Sequence, residues 1–235
     1  MKRVTDSASG DLTMTQNEVL TPAMVPDVVV LRLPMYIRAL TQLLESRSMV
    51  VSSHDLGTLL QMTPAQIRKD LSYFGRFGKQ GKGYDVKFLR DELQQILGLD
   101  QNWPACLIGV GRLGEAIINY PGFVPEGFNV VAAFDSDASQ IGRKLGGIEV
   151  ISMDALTKTI NEYNISIGIV AVPSVQAQPV IDELVLAGVR GILNYAPIAP
   201  VVPPDTVIRN IDPVLSLQSM TFYLMKKGVN PLIPG

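Results

Sequence analysis

The sequence predicts an α/β protein in two parts: a small basic module of helices closed by a β-hairpin, then a doubly wound parallel sheet. Three observations carry this expectation. Charge is unevenly spread: residues 32–92 hold ten Lys and Arg against six Asp and Glu, whereas residues 93–235 hold eight against twelve, within a net charge of −2. The hydrophobic pattern changes near residue 100, from helical spacing to short apolar runs of buried-strand type. Glycines cluster twice, among basic residues at 75–83 and directly after an apolar run at 109–114.

With 235 residues, 47% hydrophobic and 18% charged, the chain is long enough for two ordinary domains with a real core. No apolar run approaches the ~20 residues that span a bilayer. The first thirty residues hold no apolar stretch of signal-peptide length. A single cysteine, Cys106, excludes an internal disulfide and fits a reducing compartment. The expectation is a cytoplasmic protein with no membrane partner. The net charge alone argues against nucleic acid, but a basic module joined to an acidic one is what DNA binding by one part requires. Ordinary surface fluctuation produces a similar excess.

Residues 1–30, rich in Ser, Thr, Asn and Asp, read as a flexible arm. Across 33–50, Met35, Ile37, Leu40, Leu43 and Leu44 recur at helical spacing, with Pro34 in the first turn. A second helix is expected over 53–61, capped by Ser52 or Ser53. A third begins at Thr63, where Thr63, Pro64 and Gln66 supply a capping hydroxyl, a first-turn proline and a capping-box amide. Residues 75–83 read as a hairpin with a basic tip formed by Arg76, Lys79 and Lys82. A short helix over 87–97 closes the module and 98–104 form a linker.

The second and third helices make a helix-turn-helix, and the hairpin makes it a winged helix. Ile67, Leu71 and Phe74 share the inward face of the third helix. Lys69, Ser72 and Tyr73 lie roughly opposite, with Gln66 and Arg68 flanking, so Gln66, Arg68, Lys69, Ser72 and Tyr73 can reach phosphate or base edges in a major groove. Lys79 and Lys82 on the wing would meet an adjacent groove. The same features suit a solvated helix face, or a module for protein contacts.

In the second part, strands are expected at 105–110, 130–134, 165–172, 191–194 and 207–209, with helices at 113–119, 153–163 and 175–187. This alternation implies a Rossmann-like parallel sheet with helices on both faces. Gly109-Val110-Gly111-Arg112-Leu113-Gly114 is a G-x-G-x-x-G between the first strand and its helix. Gly109 allows the tight turn, Gly111 lets the backbone approach a pyrophosphate, and Gly114 lets the helix pack on the strand. Asp135 ends the next strand, 21 residues after Gly114, where a carboxylate binds a ribose 2′-hydroxyl and repels a 2′-phosphate. NAD is therefore favoured over NADP. The alternative is a glycine turn kept for packing.

No catalytic residue and no metal site stand out. The only histidine, His54, lies in the basic module, and the second part is too short for a separate substrate domain. A binding role is expected. The rivals are an NAD-dependent oxidoreductase with an N-terminal partner-binding module and a domain for a coenzyme A derivative. The last segment, 213–227, reads as a helix capped by Asp212. It is apolar on most sides, so it must be covered on most sides. A swapped arrangement in a homodimer would cover it; the alternative is a helix laid on its own sheet. The expected divisions are an arm at 1–30, a winged helix at 31–98, a dinucleotide domain at 99–211 and a C-terminal swapped helix with its tail at 212–235.

The string Gln66-Ile67-Arg68-Lys69-Asp70-Leu71-Ser72-Tyr73-Phe74-Gly75, with Phe77-Gly78, Gly81 and Gly83-Tyr84, closely resembles the Rex family of redox-sensing transcriptional repressors. The resemblance continues through 109–114, Tyr120-Pro121-Gly122-Phe123, Phe134-Asp135, Val172-Pro173 and Leu193-Asn194-Tyr195-Ala196-Pro197, over roughly residues 32–227. It implies a homodimer that binds pseudo-palindromic operator DNA when NAD+ predominates and leaves it when NADH binds. It places Arg68, Lys69, Lys79 and Lys82 on DNA. It places Gly109, Gly111, Arg112, Leu113, Gly114 and Asp135 on the dinucleotide, with Val172 and Pro173 along its far side. Arg38, Tyr120 and Asp212 match a switching network near the nicotinamide. Each also has an ordinary reading, as a surface ion pair, a packing aromatic and a helix cap. Two positions depart from the pattern: Pro213 replaces a large apolar residue and Tyr195 a more usual Phe.

Overall fold

The computed structural model describes residues 25–79 and 81–228; the side chain of Lys79 falls outside that description. The expected arm lies outside it as far as residue 24, and its last residues, Asp27–Val30, form a helical turn, α1. The chain divides into two compact units, Met1–Gly98 and Leu99–Gly235.

The first unit continues with α2 (Leu33–Glu45), β1 (Val50–Val51), α3 (Ser53–Leu60), α4 (Pro64–Ser72), β2 (Gly78–Lys79), β3 (Gly83–Asp85) and α5 (Val86–Ile96). The helical pattern expected to reach residue 50 stops at Glu45. Arg47 turns the backbone at φ 61°, and the β-branched Val50 and Val51 pair with Asp85 and Tyr84 of β3 instead. Ser52 caps α3 by accepting from the Asp55 N–H at 3.1 Å, and Thr63 caps α4 by accepting from the Gln66 N–H at 3.1 Å. Leu33, Tyr36 and Leu40 of α2 are fully buried, as are Leu56, Ile67, Leu89 and Leu93 of the other helices of this unit. Each such side chain stabilises the fold by about 1.5–3 kcal/mol.

The second unit comprises β4 (Trp103–Ile108), α6 (Arg112–Ile118), β5 (Phe128–Asp135), β6 (Lys144–Leu145), β7 (Ile148–Ser152), α7 (Leu156–Tyr163), β8 (Ile167–Val170), α8 (Ser174–Leu186), β9 (Gly191–Asn194), β10 (Val207–Asn210) and α9 (Pro213–Lys226). Its seven strands lie in the order β10-β9-β8-β4-β5-β7-β6. All neighbours run parallel except β6 and β7. This is the Rossmann-like sheet expected, extended by a hairpin that the strand pattern had not announced. Alternation along β4 divides the core: Cys106 and Ile108 face Leu156, Ile160, Ile181 and Leu184, while Ala105 and Leu107 face Ile117 on the other side. α9 has no buried residue, and Val214, Leu217, Met220, Phe222 and Leu224 are all exposed. No described helix is long and apolar enough to cross a membrane.

Candidate dinucleotide cleft and nucleic-acid face

β4 has β5 on one side and β8 on the other, so the strand order reverses at β4 and leaves a crevice beyond the strand ends. A cleft of about 540 Å3 opens there. Gly109, Gly111, Arg112, Leu113, Asp135, Val172 and Pro173 all line it. Gly109 adopts φ 91°, and a Cβ on it would stand 2.7 Å from the Ala171 carbonyl oxygen. A Cβ on Gly114 would stand 2.1 Å from the Gly109 oxygen, so that glycine permits the close approach of α6 to the turn. Gly111 differs. Its φ is an ordinary −64°, and a Cβ there would meet nothing within 4 Å. The space above Gly111 belongs to the cleft, and the first N–H groups of α6, which have no intrahelical acceptor, border it.

Asp135 closes the turn. Its Oδ2 accepts from the Val110 N–H at 2.8 Å and its Oδ1 from the Asp137 N–H at 2.9 Å. The carboxylate thus ties the glycine turn to the end of β5 while lining the cleft. Val110 is fully buried and takes part only through its backbone. Ser136, Asp137, Gln140 and Gln176 also line the cleft and were not singled out in the sequence. An Asp-Ser-Asp string at 135–137 was the available signal. Backbone and side-chain hydrogen bonds from Ser139 hold the Asp137 carboxyl below the usual carboxylate range.

A second cleft, of about 620 Å3, shares Leu113 with the first and is bordered by Tyr195, Asn210, Ile211, Asp212, Pro213 and Ser216. The buried Asn194 amide donates to the Asn210 side-chain oxygen at 2.9 Å and fixes that residue at the rim. Asp212 caps α9 by accepting from the Val214 N–H at 2.9 Å. Tyr120 lines neither of these clefts. It is 57% exposed and meets the Phe123 ring edge-on at 5.1 Å. Arg38 belongs to the first unit, where it is exposed on α2 beside Pro34, Met35, Leu59 and Leu60.

On α4, Ile67 and Leu71 are buried while Arg68, Lys69 and Ser72 are exposed, and Tyr73 is half-buried. Gln66, at the edge of this face, is half-buried. Its amide nitrogen donates to Asp70 Oδ1 at 2.6 Å. Asp70 is fully buried and also accepts from Arg32 Nε and Nη2, both at 2.7 Å, and from the Tyr36 hydroxyl at 2.8 Å. A carboxylate removed from water requires such donors, and Gln66 serves as one of them. Burial alone would raise the Asp70 pKa; the bonds from Arg32, Tyr36 and Gln66 outweigh it and hold the group below its ordinary value. Burial and Asp70 together push the Tyr36 hydroxyl far above its ordinary value. On the wing, β2 and β3 pair antiparallel, Lys82 is exposed at the tip, and Lys79 lies on β2.

Residues 24–72 match the family described as "Putative DNA-binding protein N-terminus", and residues 100–198 match the "CoA binding domain". A protein of Chloroflexus aggregans called redox-sensing transcriptional repressor Rex is 51% identical over 202 residues, 86% of this chain and 95% of its own. One of the same name from Desulfitobacterium hafniense is 42% identical over 198 residues, 84% of this chain and 94% of its own. The chain belongs to the Rex family. Among solved structures, the Rex-family repressor RSP in complex with β-NAD+ and operator DNA superposes with a TM-score of 0.83 at 38% identity, covering 88% of this chain and 95% of RSP. RSP in complex with β-NADH gives 0.80 at 36%, covering 88% and 97%. The Rex relationship accounts for both halves of the sequence, the helix-turn-helix string and the glycine turn, in a single protein. The coenzyme A match spans the strand, glycine turn and helix at 103–118 and the sheet that follows.

Proposed function

We propose that this protein is a redox-responsive repressor: a homodimer that holds a pseudo-palindromic operator when NAD+ predominates and releases it when NADH binds. The observation that carries this is the likeness, over 88% of the chain, to a repressor whose structure contains both β-NAD+ and operator DNA. The residues present suit a dinucleotide. Gly109, Gly111 and the start of α6 at Arg112 and Leu113 would hold the pyrophosphate, with Val110 and Gly114 shaping the turn. Asp135 would bind the ribose hydroxyls, and Val172 and Pro173 would flank the ligand. The second cleft, bordered by Leu113, Tyr195, Ile211 and Pro213 together with Asn210, Asp212 and Ser216, would receive the nicotinamide end.

Gln66, Arg68, Lys69, Ser72, Tyr73, Lys79 and Lys82 would contact DNA. The exposed apolar α9 would cross to a second copy, and Arg38, Tyr120 and Asp212 would relay cofactor state between the domains. Two recognition helices related by a two-fold axis fit successive major grooves about one helical turn apart. The dimer can move between a gripping and a released state only by the difference in its affinity for NADH in the two, and a full swing takes about 5 kcal/mol. The protein acts in the cytoplasm and carries out no catalysis on its cofactor.

The deciding experiment selects a duplex from a palindromic DNA pool at fixed salt, then titrates the complex with NADH and separately with NAD+. Release by NADH alone is expected. Indifference to both would leave a DNA-binding protein with another ligand, and turnover of a substrate with NAD would favour an oxidoreductase. A second expectation concerns cofactor choice. Asp135→Ala should weaken NADH about tenfold, because a charge-assisted hydrogen bond and a tie on the turn are lost. NADPH should lose less, so the ratio of the two dissociation constants narrows. An unchanged ratio would reassign the ribose contact.

A further inference from the structure

A third cleft, of about 610 Å3, lies within the first unit between the recognition helix and the wing. Ser52 and Ser53 at the start of α3, Arg68 on α4, and Gly78, Gly81, Gly83 and Tyr84 of the wing line it. We propose that this cleft is a phosphodiester subsite in which Arg68, Ser53 and Tyr84 grip one DNA backbone phosphate, so that Arg68 anchors the protein without reading sequence. The proposal rests on the repressor reading and assigns a division of labour within it.

Arg68 reaches across from α4, and its Nη1 donates to Ser53 Oγ at 2.9 Å. That bond holds the guanidinium beside Ser53 at the cleft and leaves the Ser53 hydroxyl proton free to donate to an anion. Among the described residues, no carboxylate stands within ion-pair distance of Arg68, so its charge is uncompensated. The nearby Asp55 carboxylate is occupied by the Ser52 hydroxyl at 2.6 Å and lies outside the lining. Tyr84 is half-buried. Burial raises its hydroxyl above the ordinary value and Arg68 opposes that rise only in part, so Tyr84 stays a proton donor at neutral pH. Its ring packs on Gly78, where a Cβ would stand 2.9 Å from the nearest ring carbon. The wing glycines thus set the tyrosine at the cleft and keep the wall low enough for a sugar-phosphate chain.

A guanidinium, a hydroxyl and a phenol with no acid among them match a phosphate oxygen set. The bond to Ser53 engages one guanidinium nitrogen at the start of α3 and ties Arg68 to this cleft. Lys69, the next residue, carries no such tie and remains available to the groove. A phosphate contact releases counterions, so it appears in the salt dependence of binding and acts alike on every sequence.

The test measures dissociation constants for the selected operator duplex and for a scrambled duplex of equal length across a salt series. Arg68→Ala should reduce the log–log salt slope by about 0.9 for each DNA-bound protomer. It should weaken operator and scrambled DNA by the same factor, about 10- to 100-fold near 0.1 M salt. Arg68→Lys should restore the slope but only part of the affinity. Ser53→Ala should weaken both duplexes about three- to tenfold with the slope kept. A loss confined to the operator would make Arg68 a base reader and overturn the subsite, as would an unchanged slope in Arg68→Ala. Inhibition by inorganic phosphate alone at low millimolar concentration would identify a free-anion site instead. Urea unfolding of each variant beside wild type serves as the folding control, because the dinucleotide cleft is built from the other unit and does not report on this one. Wild-type protein that binds no DNA would sink the repressor reading and this subsite together, whereas wild-type release by NADH with an unchanged variant slope would sink the subsite alone.

Discussion

Gly111→Val is expected to weaken NADH binding by about 100-fold or more while leaving the fold intact. The three glycines of the turn are not equivalent. A side chain on Gly114 would collide with the Gly109 carbonyl at 2.1 Å, and one on Gly109 would meet the Ala171 carbonyl at 2.7 Å with the backbone at φ 91°. Either replacement strains the protein itself. Gly111 has an ordinary φ of −64° and open space at its Cβ position, so a side chain can start there without backbone strain or a clash at Cβ. The added methyls occupy the volume in which a pyrophosphate would approach the first N–H groups of α6. Losing those contacts removes about 3 kcal/mol or more, which is the stated factor. Calorimetry of NADH binding beside a thermal melt separates the two effects. Unchanged affinity would remove the pyrophosphate from this turn, and a lowered melting temperature would show that Gly111 also serves the fold. If the repressor reading holds, this variant stays on the operator at all NADH concentrations.

Much of this was legible in the sequence because the physics is local. The caps at Ser52 and Thr63, the order of strand, glycine turn and helix at 105–118, and the apolar spread of α9 each follow from residues within one turn or one strand. Asp135 was legible because its separation from the turn is set by one helix and one strand. The β6–β7 hairpin was missed although its signal is equally short. Gly146 and Gly147 take φ 56° and 85° between Leu145 and Ile148, a two-glycine turn that suits a tight hairpin. The end of α2 was misplaced because Val50 and Val51 continue an apolar pattern while their partner strand lies more than thirty residues on. The Asp70 partner of Gln66 was not legible for a related reason. The spacing of Gln66 puts it beside the exposed face of α4, yet a buried charge one turn later draws its amide inward, and that charge owes its burial to Arg32 and Tyr36 on a distant segment. Side chains that answer to long-range partners escape a periodicity argument.

Asp70→Ala should destabilise the DNA-binding unit by about 3–5 kcal/mol. The carboxylate is fully buried on the recognition helix and takes hydrogen bonds from three side chains. Removing it leaves a guanidinium that is 21% exposed and a buried phenol without their acceptor. An uncompensated charge in such a place costs far more than the pair contributes when intact. Against a typical domain stability of about 5–15 kcal/mol, that is a large share. Operator affinity should fall for want of folded recognition helix, while NADH affinity should hold, since the dinucleotide cleft is built from the other unit. Asp70→Asn retains the shape and one strong acceptor and should fall between the two. The pH dependence gives an independent reading. Because the folded-state pKa of Asp70 is held below its unfolded value of about 3.9, its contribution is complete above that value and is lost as pH falls through the folded one. Wild-type protein should therefore lose stability below about pH 4 along a steeper course than Asp70→Ala, which has no such group to protonate. Urea midpoints for both proteins between pH 3 and pH 7 measure the difference. Parallel curves would mean that Asp70 matters only as packing, and that the orientation of the recognition helix is set by Ile67 and Leu71 rather than by the charge between them.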